Sequence, residues 1–212
     1  MEKEQKRLNN LKPVLYNQGL TDDFVVYDVE RNKDKQGSLR KDFTLIYPQM
    51  LGEEFPKTFG HYHKNSEPEL YEILEGQAFF LCQKHYKNLP LEIEEVYLIQ
   101  AKKEDKIIIL PGFSMTTINY GETNTLMSNW VHDEIENEYG LFSETHGACY
   151  YILKGDNNEI RFVKNDSYKK IPELIKLKPK IFPQELEDLD FLITPEKYQN
   201  FLTVNNLYEK IN

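Results

Sequence analysis

Short β-prone runs, each soon closed by a turn signal, most constrain what this chain can fold into. Residues 24–29, 42–47, 69–74, 78–82, 94–100, 107–110, 115–118, 125–131, 149–153 and 159–163 are rich in β-branched and aromatic side chains. Pro48, Glu75-Gly76, Pro111-Gly112, the run from Asn119 to Glu122 and the run from Gly155 to Asn158 punctuate them. Strands this short and this regularly spaced pack as a β-sandwich or a closed barrel. Residues 69–74 and 78–82 read as a hairpin across Glu75-Gly76, and 149–153 with 159–163 as another. The charged stretch 31–37 reads as a turn and the polar start, 1–12, as a short helix. No internal repeat is evident.

The tail has a different texture. Residues 164–190 are charged and dotted with proline, the composition of a segment running over a surface. Thr194-Pro195-Glu196 then reads as a helix start, with Thr194 as the cap and Pro195 at the first helical position. Tyr198, Phe201, Leu202, Leu207, Tyr208 and Ile211 follow near helical spacing, a stripe that needs an apolar partner. Docking on the barrel and a dimer contact both satisfy it.

At 212 residues the length asks for no more than one domain, and 14 Tyr and 12 Phe supply the bulk of a core. The formal net charge of −9, with no dense Lys/Arg stripe, argues against nucleic acid as a partner. No apolar run approaches the length of a membrane span, and the first residues, Met1-Glu2-Lys3-Glu4, lack the apolar stretch of a secretory signal. Cys82 and Cys149 sit in apolar runs and read as buried free thiols, so the expected compartment is the cytosol.

Chemistry concentrates at His61-Tyr62-His63, followed by Glu69. On an extended segment, side chains at i and i+2 share a face. Two imidazoles and a carboxylate from the next strand leave open positions on a divalent ion, as a reactive metal centre requires. Two histidines on an exposed edge strand are the plainer alternative, and spacing alone leaves both standing. Gly60 allows the backbone to bend just before the pair.

The stretch from Gly60 to His63, with Glu69-Leu70-Tyr71-Glu72-Ile73-Leu74-Glu75-Gly76, resembles the first metal-binding motif of cupins. A finer resemblance is to the archaeal-type, cupin glucose-6-phosphate isomerases. It is carried by Tyr27-Asp28-Val29, by Thr44 to Pro48, by Gly52 to Thr58, by Pro111, Asn119 and Gly121, and by Glu138-Tyr139-Gly140. The matches are colinear over residues 24–163. The resemblance implies an all-β cupin, a double-stranded β-helix or jelly-roll barrel, over 24–163. An N-terminal segment (1–23) would precede it and an extension with a terminal helix (164–212) would follow.

It also implies an activity: isomerisation of glucose 6-phosphate and fructose 6-phosphate by proton transfer through an enediol, in a cytosolic homodimer. His61, His63 and Glu69 match metal ligands for Fe, Mn or Zn. Thr44, Thr58, Gly60 and Tyr71 match positions that hold the sugar phosphate. Tyr139 matches a tyrosine lining the pocket, and Glu69 the carboxylate assigned the proton transfer. Hydroxyls and a backbone N–H would then hold the phosphate without Lys or Arg.

The second cupin motif departs from its pattern. The position of its histidine ligand, counted back from Asn119, is Met115, and no His lies between Pro111 and Gly121. A thioether is a soft, weak partner for these metals. Three outcomes follow: a site with three protein ligands, recruitment of His132 or His146, or an inactive sugar-phosphate-binding cupin. Another metal cupin reaction, such as oxygen-dependent cleavage, would leave the two threonines and Tyr139 unexplained.

Overall fold

Along Leu39–Ile46 the buried residues include Leu39, Asp42, Thr44 and Ile46, the period-two signature of a strand with one face on a core. That pattern recurs through the computed structural model, which describes residues 2–211, less the side chains of Glu2 and Asn158. The first strands are β1 (Glu2–Arg7), β2 (Val25–Gln36), β3 (Leu39–Ile46), β4 (Tyr62–His63), β5 (Glu69–Glu75), β6 (Gln77–Tyr86), β7 (Leu89–Lys102) and β8 (Lys106–Ile109). After them come β9 (Ser114–Ile118), β10 (Thr125–His132), β11 (Asn137–Glu138), β12 (Tyr150–Lys154), β13 (Ile160–Lys164), β14 (Ile175–Pro179) and β15 (Tyr208–Lys210). One sheet runs β1-β2-β3-β10-β5-β8, the other β15-β14-β7-β6-β9.

The two sheets enclose one core. Ile46 and Ile73 from the first, with Phe80 and Leu81 from the second, are at most 1% exposed. Each such side chain contributes roughly 1.5–3 kcal/mol by leaving water. This is the cupin, or double-stranded β-helix, architecture, and it corrects one expected pairing. Residues 69–74 and 78–82 form no hairpin: β5 pairs with β10 and β8, and β6 pairs with β7 and β9. Gly76, at φ +76°, takes the chain from one sheet to the other, and a methyl there would collide with the Asn124 carbonyl. The β12–β13 hairpin forms as expected. Residues 31–37 are mostly strand rather than turn, because β2 runs on to Gln36.

The start of the chain belongs to the barrel. The expected helix over 1–12 is a strand, β1, followed by the short α1 (Leu8–Leu11). Leu8, Leu11, Val14 and Leu15 are each at most 1% exposed. A buried ion pair fastens this segment to the loop leading into the histidines. Lys57 Nζ donates to Glu54 and to the Val14 carbonyl, and Glu54 accepts the Tyr16 N–H. An ion pair so buried holds because hydrogen bonds satisfy both charges.

The tail adds structure as well. β14 joins β7 in parallel and β15 pairs with β14. The long helix expected from Thr194 breaks into a single 3₁₀ turn, Pro195–Tyr198, and Thr194 makes no side-chain cap. The α-helix that does form in the tail, α2 (Val204–Leu207), is capped by Thr203. Its apolar residues serve the barrel: the buried Tyr208 hydroxyl accepts from Ile108 N–H at 2.9 Å and donates to its carbonyl at 2.6 Å. Ile108 lies on β8, the sheet's last strand, so the tail covers backbone groups that an edge would leave open. Cys82 and Cys149 are buried free thiols, and burial pushes Cys82 up to about 12. No helix among the described residues is long and apolar enough to cross a membrane.

Candidate active site

The histidine segment is held as an extra strand beside β9. Lys57 bridges to Ile118 and His61 to Met115, and His61 and Met115 exchange both backbone hydrogen bonds, at 3.2 and 3.1 Å. Gly60, at φ +83°, allows this approach, because a methyl there would collide with Thr116 Oγ1 and the Phe142 ring. His63 then starts a short ladder with Asn137 on β11. Glu69 and Tyr71, two apart on β5, share the inward face across the cleft.

These elements bring the expected ligands together. One donor atom each from His61, His63 and Glu69 lies within 4.8 Å of the others. The two imidazole Nε2 atoms are 3.2 Å apart, and His63 Nε2 is 3.4 Å from Glu69 Oε2. His63 Nδ1 lies 2.8 Å from the Glu67 carbonyl, so Nδ1 carries the proton and Nε2 turns its lone pair to the cluster. Asn129 Nδ2 donates to Glu69 Oε1 at 2.6 Å, while Oε2 is buried and accepts no hydrogen bond among the described residues. A carboxylate oxygen left without a donor inside a protein costs stability unless a cation meets it. Two nitrogens and such an oxygen fit a first-row divalent ion.

Burial pushes the His61 imidazole down to about 4, keeping it neutral and able to ligate. For His63 burial acts the same way, but the Glu69 carboxylate outweighs it and the pKa stands above the usual value. Glu69 is the converse: burial works to raise its pKa, and the two imidazoles hold it lower. Burial and the same carboxylate drive the Tyr71 phenol well up, so it remains a protonated donor.

The cleft above the cluster is lined by the other expected residues. Thr44, Thr58, Gly60, Tyr71 and Tyr139 all face it. Thr44 is 7% exposed, and the Thr58 hydroxyl oxygen accepts from Thr117 N–H at 3.0 Å. The Tyr139 ring stands 5.6 Å from that of His61, and its hydroxyl accepts from Asn137 Nδ2 at 3.0 Å. Met115 lines the same cleft, 2% exposed, with its sulfur 3.9 Å from the Tyr71 hydroxyl. The thioether therefore lines the cleft that His61 and Glu69 also face.

Neither spare histidine replaces it. His132 ends β10 beside Asp133, and His146 lies against the Pro13 carbonyl and Gln18; neither lines the cleft. The motif's flanks have structural work instead. Asn119, wholly buried, donates to the Ile46 and Thr123 carbonyls and accepts from Gly121 N–H.

Sequence reasoning missed several lining residues: Tyr27, Arg31, Arg40, Asp42, Asn129 and Asn137. For Asp42 and Asn129 a signal existed, since each is a polar residue at an inward position of an alternating strand. Arg31 had none, because its stretch reads as a charged loop.

Residues 5–170 match the family described as "Glucose-6-phosphate isomerase (GPI)". A glucose-6-phosphate isomerase of Thermococcus onnurineus is 28% identical over 175 residues, covering 77% of this chain and 86% of that protein. One of Thermococcus gammatolerans is 38% identical over 156 residues, covering 71% and 76%. Among solved structures, an oxalate oxidase superposes on 50% of each chain with a TM-score of 0.40 at 12% identity, a likeness too slight to build on. The matched span contains the triad and the lining residues named above, and the chain belongs to the glucose-6-phosphate isomerase family.

Proposed function

We propose that the chain interconverts glucose 6-phosphate and fructose 6-phosphate with a divalent Fe, Mn or Zn ion held by His61, His63 and Glu69. The observation that carries this is the triad itself: three donor atoms within 4.8 Å, one of them a buried carboxylate oxygen with no hydrogen-bond donor among the described residues. A cation bound there supplies Lewis-acid stabilisation to the oxygens that gain negative charge in an enediol.

The chain's own groups do the rest. Glu69, steadied through Oε1 by Asn129, takes the proton from one carbon and returns it to its neighbour. Tyr71 stays protonated and donates to the bound sugar phosphate. Thr44, Thr58 and the backbone near Gly60 take up the phosphate oxygens, and the Tyr139 ring closes the cleft over the sugar. A homodimer is part of this reading on family resemblance alone, and light scattering tests it.

Met115 favours a second reading, a sugar-phosphate-binding cupin that has lost metal and turnover. Metal content of the purified protein, with fructose 6-phosphate turnover under added Mn²⁺, Fe²⁺, Zn²⁺ or none, separates the two. For the isomerase, Glu69→Gln lowers kcat by about 10²–10⁴-fold with the fold intact. Binding of fructose 6-phosphate without turnover under every metal would establish the silent binder.

A further inference from the structure

The inward face of the first sheet carries a polar row whose outer end, at Asp42, the reaction scheme leaves unused. Asp42 stands opposite Asn129 and Asn129 opposite Tyr71, while Asn129 also reaches Glu69. At the row's outer end lies an irregularity in β2. The β2–β3 register passes from Glu30↔Phe43 to Asp34↔Lys41, so Arg31, Asn32 and Lys33 together oppose the single residue Asp42. Asn32 takes φ +55°, and its N–H donates to Asp42 Oδ1 at 2.9 Å. Such bulges re-aim a side chain. This one turns Arg31 into the cleft.

The two arginines that meet at Asp42 are held very differently. Arg40 is committed: Nε donates to Asp42 Oδ2 at 3.1 Å and Nη1 to the Asp133 carbonyl at 2.9 Å, with 13% of its side chain exposed. Arg31 is held loosely, 3.5 Å from the same Asp42 oxygen and 3.9 Å from Glu4, and is 32% exposed. Asp42 is 2% exposed and already served by Arg40 and Asn32. Releasing Arg31 therefore strands no charge.

The cleft needs what Arg31 offers. Its buried carboxylates, Asp42 and Glu69, oppose the entry of a dianion, and Thr44, Thr58 and Tyr71 are neutral donors. Arg31 and Arg40 are the only Lys or Arg among its described lining residues. Thr44 lies two residues from Asp42 on the same face of β3, and Arg31 lines the same cleft. We infer that Arg31 supplies the positive charge that recognises the substrate's phosphate, with Asp42 and Arg40 as its positioning pair. The inference builds on the isomerase reading for the identity of the ligand and adds a charged contact to the neutral anchors.

Calorimetric titration of the metal-loaded protein with inorganic phosphate tests this without turnover, alongside steady-state kinetics on fructose 6-phosphate. Arg31→Gln is expected to weaken phosphate binding and raise KM by roughly tenfold to a hundredfold, the range of one charge-assisted hydrogen bond. The kcat should stay within about twofold, because the contact is to a group that does not react. Arg31→Lys should recover part of both losses and keep the salt dependence that Arg31→Gln loses. Unchanged phosphate affinity and KM in Arg31→Gln would overturn the inference. So would a lowered melting temperature with no rescue by lysine, which would mark Arg31 as structural. A chain that binds phosphate through Arg31 yet never turns over would remove the isomerase reading and leave this one standing.

Discussion

The segment carrying His61 and the strand β9 lie side by side, joined through the backbone of His61 and Met115, yet they have met different fates. On the first segment both expected imidazoles, His61 and His63, are present and converge with Glu69 from β5. On β9 the position where the resemblance expects a histidine holds a thioether, while Asn119 and Gly121 just beyond its end are present and bonded. The difference teaches that the second motif has two separable jobs. Asn119 ties the turn after β9 to the carbonyls of Ile46 and Thr123, and losing it would leave buried acceptors unpaired. The side chain at 115 ties down no backbone carbonyl. It only has to fill space beside Tyr71, which methionine does.

Restoring a nitrogen ligand should have the largest effect on that contrast. Met115→His is expected to tighten Mn²⁺ or Zn²⁺ binding by about tenfold or more, measured by competition with a chelator. Met115→Leu, a swap close in volume, should leave it within about twofold. Equal affinities in both variants would mean that position 115 does not face the cation.

Next in size is the structural half of the motif. Asn119→Ala should cost about 1–3 kcal/mol in denaturant unfolding while the metal content per folded chain stays the same. Loss of metal at full stability would merge the two jobs that the comparison separates.

The smallest effect concerns pH. In the metal-free protein the raised His63 pKa and lowered Glu69 pKa make the pair stabilising. His63's share is full below the ordinary imidazole value of about 6.5 and is lost as pH rises through its raised one. Glu69's share is present above the ordinary carboxylate value of about 4.3 and is lost as pH falls through its lowered one. His61, neutral down to about 4, adds no slope above neutrality. A bound cation reverses the upper limb, since it takes the place of the His63 proton and binds better as pH rises. Melting temperatures of metal-free and Mn²⁺-loaded protein should therefore diverge between neutral and mildly alkaline pH. Met115→Leu should follow the same curves, because a thioether has no proton to lose. Parallel curves would show that His63 and Glu69 do not share the cation.

Much of the barrel was legible because its residues obey local rules. Alternation in residues 42–47 and the apolar run 107–110 are consequences of how strands bury a face. The tail and the charged stretch 31–37 were not legible in the same way. Thr194-Pro195 carries the local signals of a helix start, but the segment serves the barrel better in short turns that deliver Tyr208 to Ile108. Residues 31–37 look like a solvated loop, but pairing with β3 and the Asp42 carboxylate makes them strand and bulge.

By itself the sequence determined the family, the barrel and the triad of His61, His63 and Glu69, since these depend on residue types at fixed short spacings. It also puts Met115 at the position where the family resemblance expects a histidine. Only the tertiary structure decided that Asn129 steadies Glu69, that His132 and His146 stay away, and that Arg31 enters the cleft. The physical reason is that these depend on register between strands far apart in the chain. A shift of one residue in that register turns every side chain to the opposite face, and the order of residues along the chain does not encode it locally.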